Sequence, residues 1–265
     1  GFLKNWKDKK VERLPEPALP KIDKTKIYLV NKDKAPQSEI RIGYMALPFD
    51  ATGDYYKGRI MNYSLGGAFN SRINLNLRED KGWTYGANAG FRGTSFTGAY
   101  TAYAGVRGNA TDSSVVEFMK EIKNFSDNGV KQEELDFTKS SMGQSDALRY
   151  ETNGQKAGFL KQILDYDLDK TYVDKQSEIL KNITKADVDA LAKKYLPYNQ
   201  MIITAVGDKS QIYEALSKLG YEIVELDSDG NIIPKKDPIL LPDNELNKAP
   251  IDPKDDKKDK KKKKK

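Results

Sequence analysis

The residues best suited to chemistry lie in one block. It runs from Leu65-Gly66-Gly67-Ala68-Phe69-Asn70-Ser71-Arg72 through Leu77-Arg78-Glu79-Asp80-Lys81 to Gly82-Trp83-Thr84-Tyr85-Gly86. The block joins a glycine pair, a basic amphipathic stretch and a glycine-aromatic turn. Arg78 offers a permanently charged, planar set of donors, and Tyr85 a neutral hydroxyl. Donors of this kind stabilise the negative oxygen that develops when an amide is attacked. They can equally hold the carbonyls of a bound peptide in register. Each residue also has a plainer reading. Arg78 suits the negative end of a helix dipole, and Tyr85 suits a half-buried strand aromatic whose hydroxyl reaches a partner.

The rest of the composition narrows the chemistry. The chain has 265 residues and contains neither histidine nor cysteine. Without them there is no Ser-His-Asp triad, no His-Glu-x-x-His zinc site or its inverted form, no thiol nucleophile and no disulfide. A carboxylate site could still hold magnesium or calcium, but the acidic residues are scattered among lysines. No Asp-x-Asp-x-Asp-Gly loop occurs. Any chemistry in this chain must therefore work without histidine or cysteine.

The formal charge of +6 suggests nucleic acid until it is located. Residues 254–265 hold nine Lys and three Asp, so this tail contributes the whole excess and the remainder is balanced. A nucleic-acid-binding face needs a basic patch on the folded domain, and none is expected here. The tail reads as solvated by its own repulsion. No apolar run approaches a membrane span, and the first residues lack the apolar stretch of a signal peptide. The chain opens on Gly1 rather than Met, which points to a processed chain or a piece of a longer one. The absence of cysteine and the lysine tail lean towards an exported, cell-envelope or periplasmic location, with the compartment otherwise open.

The block must be held by a fold, and the pattern predicts one. Residues 1–25 are a proline-punctuated lead-in. Short strands are expected at 26–30, 39–47, 85–92, 98–106 and 201–206, with an edge strand at 221–226. Helices are expected at 54–64, 71–79, from a Thr111-Asp112 cap, from Lys131 to about Tyr150, and at 155–165, 171–181, 184–195 and 211–219. The Gly66-Gly67 pair is expected to break the first helix. The alternation of Ile73, Leu75 and Leu77 with polar residues leaves 71–79 open to a strand reading. Thr184 to Asp187 has the spacing of a capping box. The small residues Gly86, Ala87, Ala89 and Gly90 would let another backbone approach closely. The sum is an α+β domain over residues 26–226, mostly antiparallel sheet with helices packed on one face. A proline-containing, lysine-rich tail follows at 227–265.

The quoted block resembles the C-terminal, non-catalytic half of the insulinase-type zinc metallopeptidases, the M16 family that includes pitrilysin and the mitochondrial processing peptidases. The likeness extends over about residues 20 to 226. Ala35-Pro36-Gln37-Ser38-Glu39-Ile40-Arg41-Ile42-Gly43 is similar to the strand entering that half, and Val206-Gly207-Asp208 to its last strand and turn. The resemblance implies two homologous halves closing around a peptide. One half carries zinc on His-x-x-Glu-His with a downstream Glu, and the other offers an Arg and a Tyr across the chamber. Arg78 and Tyr85, seven positions apart, match that pair as substrate-binding or transition-state support. Trp83 departs from the smaller aliphatic or Tyr common at its position, which would alter local packing. The implied partners are a zinc-bearing half, in the same polypeptide or a separate subunit, and a peptide substrate. The implied zinc resides in that partner half, with no cofactor in this chain. A structural or assembly subunit of the same fold is the competing expectation.

Overall fold

The computed structural model describes residues 15–147 and 150–234, together with residues 4, 5, 7 and 12. The chain divides into Gly1–Ile233 and Pro234–Lys265, and the lysine tail lies outside the described residues.

Six strands make one sheet. They are β1 (Lys26–Asn31), β2 (Gln37–Leu47), β3 (Thr84–Arg92), β4 (Gly98–Arg107), β5 (Ile202–Gly207) and β6 (Glu222–Leu226), in the spatial order β3-β4-β2-β5-β1-β6. The β3–β4, β4–β2 and β2–β5 pairings are antiparallel, while β1 lies parallel to both β5 and β6. The sheet is thus mostly antiparallel, and at its parallel end α8 (Lys209–Ser217) crosses from β5 to β6, which run in the same direction on either side of β1.

Strand periodicity explains the layer. Ile40 and Ile42 on β2, Tyr100, Ala102, Ala104 and Val106 on β4, and Ile27 and Leu29 on β1 are buried at alternate positions. They share one core with Val115, Phe118, Ile122 and Phe125 of α3 (Thr111–Asn128). Their neighbours on β2, Glu39, Arg41 and Met45, point to the other, more exposed face. The helices α4 (Gln132–Ala147), α5 (Asn153–Tyr166), α6 (Tyr172–Asn182) and α7 (Lys185–Tyr195) complete the α+β arrangement.

Helix starts follow local chemistry, with one correction. Thr184 and Asp187 form the anticipated capping box at α7, and Thr152 with Gln155 forms another at α5. Thr111, however, does not cap α3. Its hydroxyl lies 2.7 Å from the Gly108 carbonyl oxygen and 2.8 Å from the Ser38 hydroxyl. A short 3-10 turn, Gly108–Ala110, delivers the chain into the helix, so the N-cap position falls on Ala110.

Two helices precede β3, and both change pitch. The helix α1 (Asp54–Asn62) runs on into a π-helical turn, Tyr63–Gly67. The three-residue α2 (Arg72–Asn74) does the same over Leu75–Asp80. The Gly66-Gly67 pair therefore lies within the wider turn, and the chain leaves the helix only at extended Ala68. Residues 72–80 are helical because Ile73 and Leu77, four apart, both enter the core, while Leu75 between them stays exposed.

Candidate functional site

Arg78 sits near the end of the second π-helical turn, and Tyr85 near the start of β3. A short tied connection separates them. Lys81 N–H donates to Asn76 C=O at 3.0 Å, Gly82 N–H to Arg78 C=O at 3.1 Å and Trp83 N–H to Leu77 C=O at 3.0 Å. Gly82 takes φ +61°, a left-handed conformation that costs glycine little and other residues more. The connection is consequently fixed by its own backbone.

Tyr85 is 90% exposed, and its hydroxyl has no hydrogen-bond partner among the described residues. Sequence parity alone misplaces it. Ala87, Ala89 and Phe91, at the same parity, are all buried. The register slips between Thr84 and Ala87, where β3 advances three residues while β4 advances two, from Val106 to Ala104. This β-bulge resets the alternation and turns Tyr85 outward. The Thr84 hydroxyl knits the bulge, lying 2.9 Å from Gly86 C=O and 2.7 Å from Gly105 C=O. The half-buried aromatic with a bonded hydroxyl is not what the chain builds.

Arg78 is half-buried. Its guanidinium stands 4.5 Å from the centre of the Phe69 ring, and its Nε is 3.3 Å from Glu79 Oε1. No hydrogen bond or ring contact joins Arg78 to Tyr85 among the described residues. Both project from one tied unit and remain separately available.

The supporting residues gave little sign in the sequence. Asn74, 4% exposed, donates from Nδ2 to Phe69 C=O at 2.6 Å and accepts at Oδ1 from Ala87 N–H at 2.9 Å. One side-chain amide thereby ties the Phe69 turn to the strand that carries Tyr85. Asn62 donates to Ala89 C=O at 2.6 Å, and the Tyr55 hydroxyl to Phe91 C=O at 3.2 Å. Arg72 is a brace: its Nε and Nη2 reach Glu134 at 2.6 and 2.5 Å, Nη2 also meets Gly129 C=O at 3.1 Å, and its guanidinium lies over Phe125. The small residues of β3 do admit another backbone, and it is the chain's own. A Cβ added to Gly66 would stand 2.5 Å from the Ala89 methyl and 2.7 Å from its nitrogen.

Metal binding is a separate matter. Among the described residues no group of three or more acidic side chains is placed to hold an ion. With no His or Cys in the sequence, the residues here do not fit zinc.

Residues 1–142, more than half the chain and including Arg78 and Tyr85, match the family described as the peptidase M16 inactive domain. The chain belongs to this family. The non-peptidase homolog YmxG of Helicobacter pylori is 29% identical to it over 140 residues, which cover 52% of this chain and 32% of the relative. Among solved structures, the peptidase M16 inactive domain from Pseudomonas fluorescens superposes with a TM-score of 0.67 at 24% identity, covering 75% of this chain and 46% of that one. A protease from Helicobacter pylori gives 0.67 at 19%, covering 76% and 48%. At such identities the likeness establishes the shared fold. This M16 inactive domain spans less than half the length of each of these relatives. No described helix is long and apolar enough to cross a membrane.

Proposed function

We propose that this M16 inactive domain is the substrate-binding half of a zinc endopeptidase. In this reading Arg78 and Tyr85 face a peptide in a chamber closed by a zinc-bearing half with a His-x-x-Glu-His motif, in the same polypeptide or a separate subunit. The observation that carries the reading is Tyr85. A tyrosine turned out by a bulge, its hydroxyl unpartnered, contributes nothing evident to the core and is free to donate to a ligand. Arg78 supplies a charged donor from the same tied turn. The roles of these residues are to bind and orient: the guanidinium and the hydroxyl each donate to carbonyl oxygens of the peptide. The metal and the bond cleavage belong to the other half.

The test is reconstitution. The chain mixed with its zinc-bearing half is expected to cleave an unfolded peptide that neither cleaves alone, with zinc bound by the partner. A mixture no more active than the zinc-bearing half by itself overturns the reading. One observation favours a second reading, a structural or assembly subunit: the relative YmxG is described as a non-peptidase homolog. That role requires assembly with the partner and no peptide contact from Arg78 or Tyr85.

A further inference from the structure

We infer that Phe69 sets the specificity of this peptide site, its exposed ring receiving an apolar side chain of the bound peptide; the inference rests on the substrate-binding reading above. Phe69 is 67% exposed, yet hydrogen bonds hold its backbone and the residues around it. Ala68 N–H donates to Tyr63 C=O at 3.0 Å and Ser71 N–H to Ala68 C=O at 3.1 Å, closing the turn on either side. The Phe69 carbonyl is held by buried Asn74 at 2.6 Å. A large apolar ring on a fixed backbone, left in water, loses little conformational freedom when it meets a ligand.

The position of the ring says which ligand. Arg78 stacks at 4.5 Å from its centroid, which needs only one face of the phenyl group. The same Asn74 amide that holds Phe69 C=O holds Ala87 N–H, two residues beyond Tyr85. Phe69, Arg78 and Tyr85 thus belong to a single hydrogen-bonded frame, with one donor stacked on the apolar ring and the other lying two residues from the tie to β3. A peptide whose backbone oxygens meet the two donors has a side chain beside the ring, and burying apolar area there favours Leu, Met or Phe over Ser. The core does not require this ring, since Leu65, Ile73 and Leu77 already fill the interior beneath the block.

The experiment uses the full chain assembled with its zinc-bearing half and stripped of metal by a chelator, so that peptide is held rather than cut. The probes are fluorescein-labelled unstructured peptides with one Leu moved stepwise through a Gly-Ser background, and the same background with no Leu. One Leu register is expected to bind roughly 10-fold more tightly than the Leu-free peptide. Phe69→Ser should abolish that preference, and Phe69→Leu should keep most of it. A preference unchanged in Phe69→Ser, or lost equally in Phe69→Leu, overturns the assignment of Phe69 while leaving peptide binding itself standing. If the unmutated assembly binds neither probe, the substrate-binding reading falls and takes the specificity residue with it.

Discussion

Gly66 and Ala89 leave no room between them for a methyl group: a Cβ on the glycine would meet the Ala89 methyl at 2.5 Å. The first π-helical turn packs on β3 at this point, and the missing side chain of Gly66 permits it. Gly66→Ala is expected to destabilise the domain by about 1–3 kcal/mol through overpacking, read as a lower denaturant midpoint. Gly67 is exposed, and a Cβ there would meet nothing closer than 3.4 Å. Gly67→Ala should accordingly cost less, and equal losses would contradict the packing account.

Arg78→Ala and Tyr85→Phe should each leave the melting temperature nearly unchanged, because neither residue lies in the core. In the assembly with a zinc-bearing half proposed above, each should lower kcat/KM. A loss of roughly 100-fold would mark a donor to the developing oxyanion. A rise in KM with unchanged kcat would mark substrate positioning instead. Full activity in both variants removes them from the site.

Asn74→Ala removes two hydrogen bonds and leaves Phe69 C=O and Ala87 N–H short of a partner. The cost should be about 1–3 kcal/mol per stranded group. Asn74→Asp keeps the acceptor for Ala87 and loses the donor to Phe69, so amide exchange should rise in the Phe69 turn before it rises in β3. Uniform exchange across both would show that Asn74 does not couple them.

The Arg72–Glu134 pair gives the domain a sensitivity to acid. Burial by itself would raise the Glu134 pKa, but the Arg72 guanidinium and the Lys131 N–H outweigh it, and the carboxyl is held below its ordinary value. A carboxyl depressed in the folded state contributes stability that is complete above the unfolded value of about 4.3 and is lost as pH falls through the folded value. Stability should therefore decline below about pH 4.3. Glu134→Gln should be less stable at pH 7 and flatten part of that decline. Parallel curves for the two proteins would disprove the linkage.

The sequence exposed most of the fold because its strong signals are local. Alternation in residues 39–47 and 201–206 and the Thr184 capping box depend on near neighbours only. Residues 71–79 were ambiguous because Ile73, Leu75 and Leu77 satisfy both periods until something decides which side is buried. Thr111 is not the cap because the 3-10 turn Gly108–Ala110 already carries the chain into the helix and leaves Thr111 one position inside it. The candidate site was half legible. Arg78 and Tyr85 stand out by type and spacing, but the exposure of Tyr85 depends on a bulge, and a bulge is a property of register between two strands. Asn74 was invisible for the same reason: its partners are main-chain atoms of residues five and thirteen positions away, and any asparagine in an amphipathic stretch looks like a solvated one.

Three side chains that hydrogen-bond to the main chain of β3 have a consequence beyond the site. Tyr55, Asn62 and Asn74 occupy Phe91 C=O, Ala89 C=O and Ala87 N–H along the outer margin of the last strand in the sheet. All three come from the α1–α2 region, so the margin is closed only once that helical segment has docked. Before docking, during synthesis or under stress, a run of small and apolar residues with vacant main-chain groups is a template for a strand of another molecule. The helical segment that presents Arg78 and Phe69 is thus also the domain's guard against self-association, and substitutions that loosen it should be seen first as aggregation.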